Sequence, residues 1–324
     1  MKKKVLITGI TGQDGIFLSN ELLKSNEYNI IGTSRSSSEE IFRKRLTDLG
    51  NKNNELDSLT IKKCNLLNNN EIDALVEDYK PDYVYNLIGP GSVSESVKNP
   101  FESSYSIIKS FNNLVNSFVK INYFPNFFQT SSSEMFEDVG LERLTEDSDF
   151  DPKTPYAISK VYCHNMANFY KDKLNWNISC GILFNHESEF RSDQYLTSKI
   201  ISEAIKITKG EMNQITIGSL NLVRDWGFAG DVVKAMIKVN ENPKANNYVV
   251  GTGKGHSIKE MVDIIFKYFE LEFEEYLKID SALLRKNEPQ SIISNPNKIS
   301  TELGWKSETS FEDTILRSIE YKLS

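Results

Sequence analysis

The sequence has little cysteine, little histidine and no long apolar run, and each shortage removes a class of protein. Its 324 residues hold three cysteines, Cys64, Cys163 and Cys180, an odd and widely spaced set. Such a set makes a poor disulfide framework; each lies in an apolar-patterned segment, so buried reduced thiols are expected. The three histidines, His164, His186 and His256, are scattered, and no cysteine has a partner at metal-ligand spacing. No metal site is expected. No stretch approaches the ~18 apolar residues that span a bilayer, so no membrane partner is expected either. The opening Met1-Lys2-Lys3-Lys4-Val5-Leu6-Ile7 starts like a secretion signal, but Gly9, Gly12, Gln13 and Asp14 end the apolar run too soon. A cytoplasmic location is the default expectation. Basic excess is missing too: 38 Lys+Arg against 45 Asp+Glu leave a net charge of −7. That balance argues against a broad nucleic-acid surface.

What is present is an alternation. Val5–Thr8, Asn29–Thr33, Thr60–Lys63, Tyr83–Ile88, Asn126–Thr130 and Ile178–Phe184 are short apolar runs bounded by turn residues, and they read as strands. Helical patterns lie between them at Ile16–Lys24, Asn70–Tyr79, Phe101–Val119 and Tyr156–Lys173. The fold class expected is α/β, a Rossmann-type doubly wound parallel sheet with a smaller C-terminal α/β substrate-binding domain. After about residue 185 the pattern changes to helices at Tyr195–Lys209 and Ser257–Phe269 with short strands at Gln214–Ile217 and Tyr248–Gly251. Residues 1–185 are therefore expected to form the dinucleotide-binding domain, with some later segments returning to it, and 186–324 mainly the substrate domain.

The first strand runs into Gly9-Ile10-Thr11-Gly12-Gln13-Asp14-Gly15 and then an amphipathic helix. Gly9 suits the tight turn, Gly12 the approach of a pyrophosphate, and Gly15 the close packing of the helix, whose N-terminal N–H groups attract phosphate. At the end of the second strand, Thr33-Ser34-Arg35-Ser36-Ser37 lacks the acid that grips an NAD ribose. A guanidinium among hydroxyls suits a 2′-phosphate, so NADP is expected, with NAD as the alternative.

Tyr156 and Lys160 stand four residues apart, on one helix face directly after Pro155. An ammonium beside a phenol favours the phenolate, which can then take a hydroxyl proton. Upstream lies the serine-rich strand end Thr130-Ser131-Ser132-Ser133-Glu134.

With these residues in hand, the chain resembles the extended short-chain dehydrogenase/reductase family and, within it, the GDP-mannose 4,6-dehydratase group. The likeness runs nearly end to end, through Thr8–Gly15, Tyr85-Asn86-Leu87, Ser131–Glu134, Pro155–Lys160, Gly181–Ser188, Arg224-Asp225-Trp226-Gly227 and Leu303-Gly304-Trp305. The resemblance implies a nucleotide-sugar 4,6-dehydratase. Ser132 would hold the C4 hydroxyl and Tyr156, assisted by Lys160, would take its proton as hydride leaves C4. Glu134 would take the C5 proton, water would leave from C6, and hydride would return there. Around the cofactor it implies Gly9, Thr11, Gly12, Gln13, Asp14, Gly15, Arg35, Asn65, Leu66, Tyr156 and Lys160. For a GDP-linked sugar it implies Ser92, Asn185, Arg191, Lys199, Arg224, Arg285 and Glu288. It also implies a homodimer or homotetramer, with 36–45 crossing between subunits. His186 is expected to be a hydrogen-bonded structural histidine, and Asp231 and Trp226 to fix the local fold.

Three departures stand out: Asn65-Leu66 where relatives carry Asp-Leu, the sugar-facing run Ile88-Gly89-Pro90-Gly91-Ser92-Val93, and Arg285-Lys286-Asn287-Glu288 in place of Arg-Pro-x-Glu. With the reaction centre kept and the sugar-facing loops changed, GDP-N-acetylglucosamine is a candidate beside GDP-mannose. A GDP-sugar 4-reductase, 4-epimerase or C4 dehydrogenase is the competing enzyme class, and a non-catalytic NADP-binding regulator the competing non-enzyme.

Overall fold

Seven short apolar runs become the strands of one wholly parallel sheet. The computed structural model describes residues 2–35, 39–52, 55–89, 93–136, 142–284 and 288–324. The strands are β1 (Lys3–Thr8), β2 (Tyr28–Ser34), β3 (Leu59–Lys63), β4 (Tyr83–Asn86), β5 (Asn126–Ser132), β6 (Ile178–Leu183) and β7 (Asn247–Val250). Their spatial order is β7-β6-β5-β4-β1-β2-β3, and every neighbouring pair is parallel. The order reverses between β1 and β4, which opens a crevice beyond their carboxyl ends.

A parallel sheet of this kind is buried on both faces, and β1 shows how. Successive side chains point to opposite sides. Val5 and Ile7 join an apolar cluster with helices Gln13–Ser25 and Ala229–Glu241, while Leu6 joins one with Asn69–Tyr79, Pro100–Lys120 and Pro155–Leu174. All three β1 residues are 0% exposed. Helix starts follow local chemistry. Asn68 accepts from the Asn70 N–H at 3.1 Å, and Thr154 accepts from the Ala157 N–H at 3.2 Å, with Pro155 in the first helical position. Ser257 and Glu260 form a capping box before helix Ile258–Phe269. Each such cap stabilises its helix by about 1 kcal/mol.

The later chain builds a four-stranded sheet from His256–Ser257, Val223–Arg224, Ser291–Ser294 and Arg143–Leu144, in that order. Asn185–Glu187 pairs with Trp226–Phe228, and Ile215–Ile217 with Leu277–Ile279. Helices Leu196–Thr208, Ile258–Phe269 and Phe311–Leu323 share a separate apolar core. The two halves interleave. β7 comes late in the chain yet closes one edge of the large sheet, while Arg143–Leu144 leaves the first half for the small one. Asp225 ties the small sheet to the loop that follows β7, accepting from the Thr252 N–H and hydroxyl (2.9 and 2.6 Å), the Gly253 N–H (2.9 Å), the Ser294 N–H (3.1 Å) and the Ser294 hydroxyl. Asp231 and Trp226 also anchor local structure: Asp231 accepts from the N–H groups of Glu308 and Thr309, and Trp226 stacks on Phe311.

Candidate active site

The first cleft lies at the reversal between β1 and β4. Gly9 leaves β1 at φ +69°, a conformation that strains any other residue, and Gly12 caps helix Gln13–Ser25. A Cβ on Gly15 would lie 2.2 Å from the Ile10 carbonyl oxygen, so the third glycine lets the helix sit on the turn itself. Gly9, Thr11, Gly12, Arg35, Asn65 and Leu66 all line this cleft. Thr11 and Ser34 place their hydroxyls 3.4 Å apart beside Arg35. The Asn65 side-chain oxygen accepts from the Leu67 N–H, and the Leu66 carbonyl is held by Asn113 at 2.9 Å. Leu87, Ile88, Gly89 and Ser106 also line it, and the motifs do not mark them as cofactor contacts. For the first three, the available signal is their place just after a strand at the switch point.

Gln13 and Asp14 turn elsewhere. The Gln13 amide donates to the His186 carbonyl (3.2 Å) and accepts from the Ser188 hydroxyl (2.7 Å), and Asp14 meets His186 Nε2 at 2.9 Å. Burial opposes charge on both partners. Their mutual attraction prevails, holding the Asp14 carboxyl at about 2 and lifting the His186 imidazole above its ordinary value. His186 Nδ1 lies 2.7 Å from the Phe184 carbonyl. Both of its ring nitrogens are thus hydrogen-bonded, as expected from its context.

The second cleft begins where β5 ends. Ser132 accepts from the Glu134 N–H at 3.3 Å and so starts the one-turn helix Ser133–Met135. That turn brings half-buried Glu134 into a pocket with Asn185, Arg224 and Glu288. Asn185 arrives on the strand Asn185–Glu187, Arg224 on Val223–Arg224, and Glu288 from just before Ser291–Ser294. Arg224 is buried, donating to Glu288 at 2.7 Å and to its neighbour's carbonyl at 2.8 Å. Asp151, Lys153 and Phe136 line the same pocket and no motif points to them, although Lys153 immediately precedes Thr154-Pro155-Tyr156.

Tyr156 and Lys160 sit on the first turns of helix Pro155–Leu174, with the Lys160 ammonium 5.7 Å from the Tyr156 ring centre. Lys160 is buried and donates to the Thr130 carbonyl (3.1 Å) and hydroxyl (3.3 Å) on β5. Its nitrogen would lie 3.9 Å from a Cβ on Gly89, which lines the first cleft. This ammonium therefore stands between the first cleft and the strand that leads to Ser132 and Glu134.

Other expected substrate residues lie apart from this pocket. The Arg191 guanidinium stacks 3.5 Å from the Tyr195 ring centre, with Glu187 at 3.5 Å. Burial raises the Glu187 carboxyl above its usual value, although Arg191 and His186 pull it down. Lys199 donates to the Thr216 carbonyl at 3.3 Å and lies 3.8 Å from Glu203. Ser92, Arg285 and 36–38 of the crossing segment lie outside the described residues.

Comparison with known proteins gives the family and the fold. A family model described as GDP-mannose 4,6 dehydratase matches residues 6–318. The GDP-mannose 4,6 dehydratase 2 of Arabidopsis thaliana is 31% identical over 329 residues, covering 99% of this chain and 87% of its own length. Among solved structures, the UDP-glucose 4-epimerase of Bifidobacterium longum, in complex with NAD+ and UDP, aligns with a TM-score of 0.86 at 20% identity. It covers 99% of this chain and 98% of its own. The RMD protein of Pseudomonas aeruginosa, complexed with NADPH, aligns at 0.78 and 17% identity over 99% and 97%. These two likenesses speak to the fold alone.

Proposed function

The chain belongs to the GDP-mannose 4,6-dehydratase family and is an NAD(P)-dependent nucleotide-sugar dehydratase; on that premise we propose how its residues divide the work. A nicotinamide dinucleotide fits the first cleft: the glycine turn keeps side chains away from the pyrophosphate, and the helix N-terminus offers its N–H groups. Bound there, it would supply the acceptor for hydride from the sugar C4 and the donor for its return at C6. Arg35, with the Thr11 and Ser34 hydroxyls, favours NADP over NAD, because a guanidinium and two hydroxyls can satisfy a 2′-phosphate.

Ser132 positions the C4 hydroxyl and Tyr156 removes its proton. Lys160, anchored on Thr130, stabilises the charge that develops on the phenol oxygen. The C4 carbonyl acidifies C5; Glu134 takes the C5 proton and hands it to the C6 hydroxyl, which departs as water. As hydride returns to C6, C5 regains a proton, balancing the one that Tyr156 took from the C4 hydroxyl. The saturated 4-keto-6-deoxy sugar remains and the cofactor ends as it began. Asn185, Arg224 and Glu288 grip the nucleotide sugar. Arg191 and Lys199 would contact the diphosphate only after exchanging their present partners.

The observation that carries this reading is Glu134. The epimerase-like fold is common to several chemistries, but a 4-reductase or 4-epimerase has no C5 proton to remove whereas the elimination does, and Glu134 faces the pocket that holds Asn185 and Arg224. The substrate is a GDP-linked hexose, GDP-mannose by family, with GDP-N-acetylglucosamine the variant to which the altered loops point. Incubation of the purified enzyme with NADP+ and each sugar in competition tests it. The product should weigh one water less with no net NADPH formed. Net NADPH, or an isobaric product, would replace the dehydratase reading with a C4 dehydrogenase or epimerase.

We assign 1–185 mainly to the cofactor and 186–324 mainly to the nucleotide sugar, with the helix Ala229–Glu241 and β7 returning to the large sheet. Exposed Val97, Phe101, Tyr105 and Ile158 on adjoining helices support self-association as a homodimer or homotetramer, to be read by light scattering. The three buried free thiols suit a reducing, cytoplasmic setting.

A further inference from the structure

The contacts that join the first helix turn to the strand bearing Asn185 take no part in the chemistry above. We propose that His186 is a positioning residue that couples the two clefts, so that a filled cofactor cleft tightens the hold of the pocket on the nucleotide sugar. The identity of the ligands rests on the functional reading; the coupling rests on geometry.

Gly12 lines the cofactor cleft and also caps helix Gln13–Ser25. The next two residues face the other way and reach the substrate side. Gln13 bridges the His186 carbonyl and the Ser188 hydroxyl, and Asp14 binds His186 Nε2. The second imidazole nitrogen is taken up by the Phe184 carbonyl, so the ring is held at both ends and cannot follow Asp14 without moving its strand. One residue before it, Asn185 pairs in register with Trp226 and faces the pocket that contains Arg224. One turn further along the helix, Phe17 packs on Phe190 and Phe228 with ring centres 5.4 and 5.2 Å away. Phe228 ends the strand paired with Asn185–Glu187, so the aromatic contacts repeat the polar ones. A close-packed joint of this kind moves as one body.

The consequence follows from where phosphate binds. A pyrophosphate on the helix N-terminus fixes the position of Gly12 and the turn behind it. Fixing that turn orders the strand presenting Asn185, so the pocket needs less ordering when the sugar nucleotide arrives. Coupling of this kind is reciprocal, so the sugar nucleotide must tighten the cofactor by the same factor. Other charged groups around His186 are Arg191 and Glu187; they pair with each other at 3.5 Å, and both also act through space on Asp14.

The test is a fluorescence titration of the full-length protein with NADPH, with and without saturating GDP-mannose. Reduced cofactor cannot accept hydride, so no turnover intervenes. The expectation is roughly tenfold tighter NADPH binding in the presence of GDP-mannose, a typical allosteric factor. His186→Leu and Gln13→Ala should bring that ratio close to one, while His186→Gln, which keeps a donor toward Asp14, should retain most of it. A purely structural role would weaken both ligands and leave the ratio intact; that result, or a wild-type ratio of one with both ligands bound, overturns the proposal. If His186→Leu does not fold, the ratio measured with Gln13→Ala decides alone. Wild-type protein that binds NADPH but not GDP-mannose counts against the substrate reading instead. The same titration with the nucleotide sugar that does bind then decides the coupling.

Discussion

The two clefts are built by opposite means. The cofactor cleft is mostly backbone: a glycine turn, the ends of parallel strands and a helix N-terminus, with Arg35 as the one charged side chain among the described residues that line it. The substrate pocket is mostly side chains, in which Arg224 already pairs with Glu288 and Lys153 with Asp151. A backbone site tolerates many surrounding sequences, which is why one fold serves NAD+ in one solved relative and NADPH in another. A pocket of paired charges depends on each partner. Specificity should therefore be breakable at single side chains in the second cleft, and robust in the first except at Arg35.

The largest effect is expected at the reaction centre. Glu134→Gln and Tyr156→Phe should each lower turnover by roughly 10²–10⁴, the usual worth of a positioned acid or base, while NADPH affinity changes little. The two should differ in a single turnover. With Glu134→Gln, absorbance at 340 nm rises as C4 is oxidised and then stays, whereas Tyr156→Phe shows no rise. An equal rise in both variants would mean that the roles are assigned to the wrong residues.

Next in size is Asp225→Ala. Removing a buried carboxylate that accepts five hydrogen bonds should cost about 3–5 kcal/mol, seen as an earlier denaturant midpoint. Below the transition, the variant should lose GDP-sugar binding before NADPH binding, because Asp225 adjoins Arg224 of the substrate pocket and reaches the large sheet only through the loop after β7. Simultaneous loss would show that the two regions fold as one unit.

Acid should act on the cofactor half. His164 is buried against Ser131, and burial, helped by Lys171, depresses its imidazole to about 4. A depressed imidazole is neutral in the fold, so its stability is intact above the unfolded value near 6.5 and is lost as pH falls toward 4. At pH 5 the loss should be about 2 kcal/mol by linkage. Unfolding at pH 7 and pH 5 should show it, and His164→Gln should flatten the difference. An unchanged slope would remove His164 as the cause. The smallest effect belongs to Arg35→Ala, which should cut the preference for NADP over NAD about tenfold and leave NAD affinity unchanged. If both cofactors weaken alike, Arg35 binds a shared phosphate.

Much of this is legible in the residues themselves, and the pattern of what is not is instructive. The strands, the glycine turn and the capped helices lie within a residue or a few of where periodicity and turn chemistry put them. The motif groups Gln13 and Asp14 with the cofactor because they stand between its glycines, yet their side chains bond to His186 and Ser188. Arg191 and Lys199 come from the family resemblance, but the structure engages them with Tyr195, Glu187 and Thr216. Asp151 and Ile292 carry no local signal at all. A motif preserves spacing along the chain, but the direction of a side chain depends on what packs beside it.

The amino-acid order alone determined the alternation of strand and helix, the left-handed turn at Gly9 and the pairing of Tyr156 with Lys160, since each arises from interactions within a few residues. Only the tertiary structure decided that Glu134, Asn185, Arg224 and Glu288, drawn from four separate segments of the chain, face one pocket. It also decided that β7 returns to the first sheet and that His186 joins the two halves. Those outcomes depend on which apolar faces bury one another, and that is a property of the whole chain.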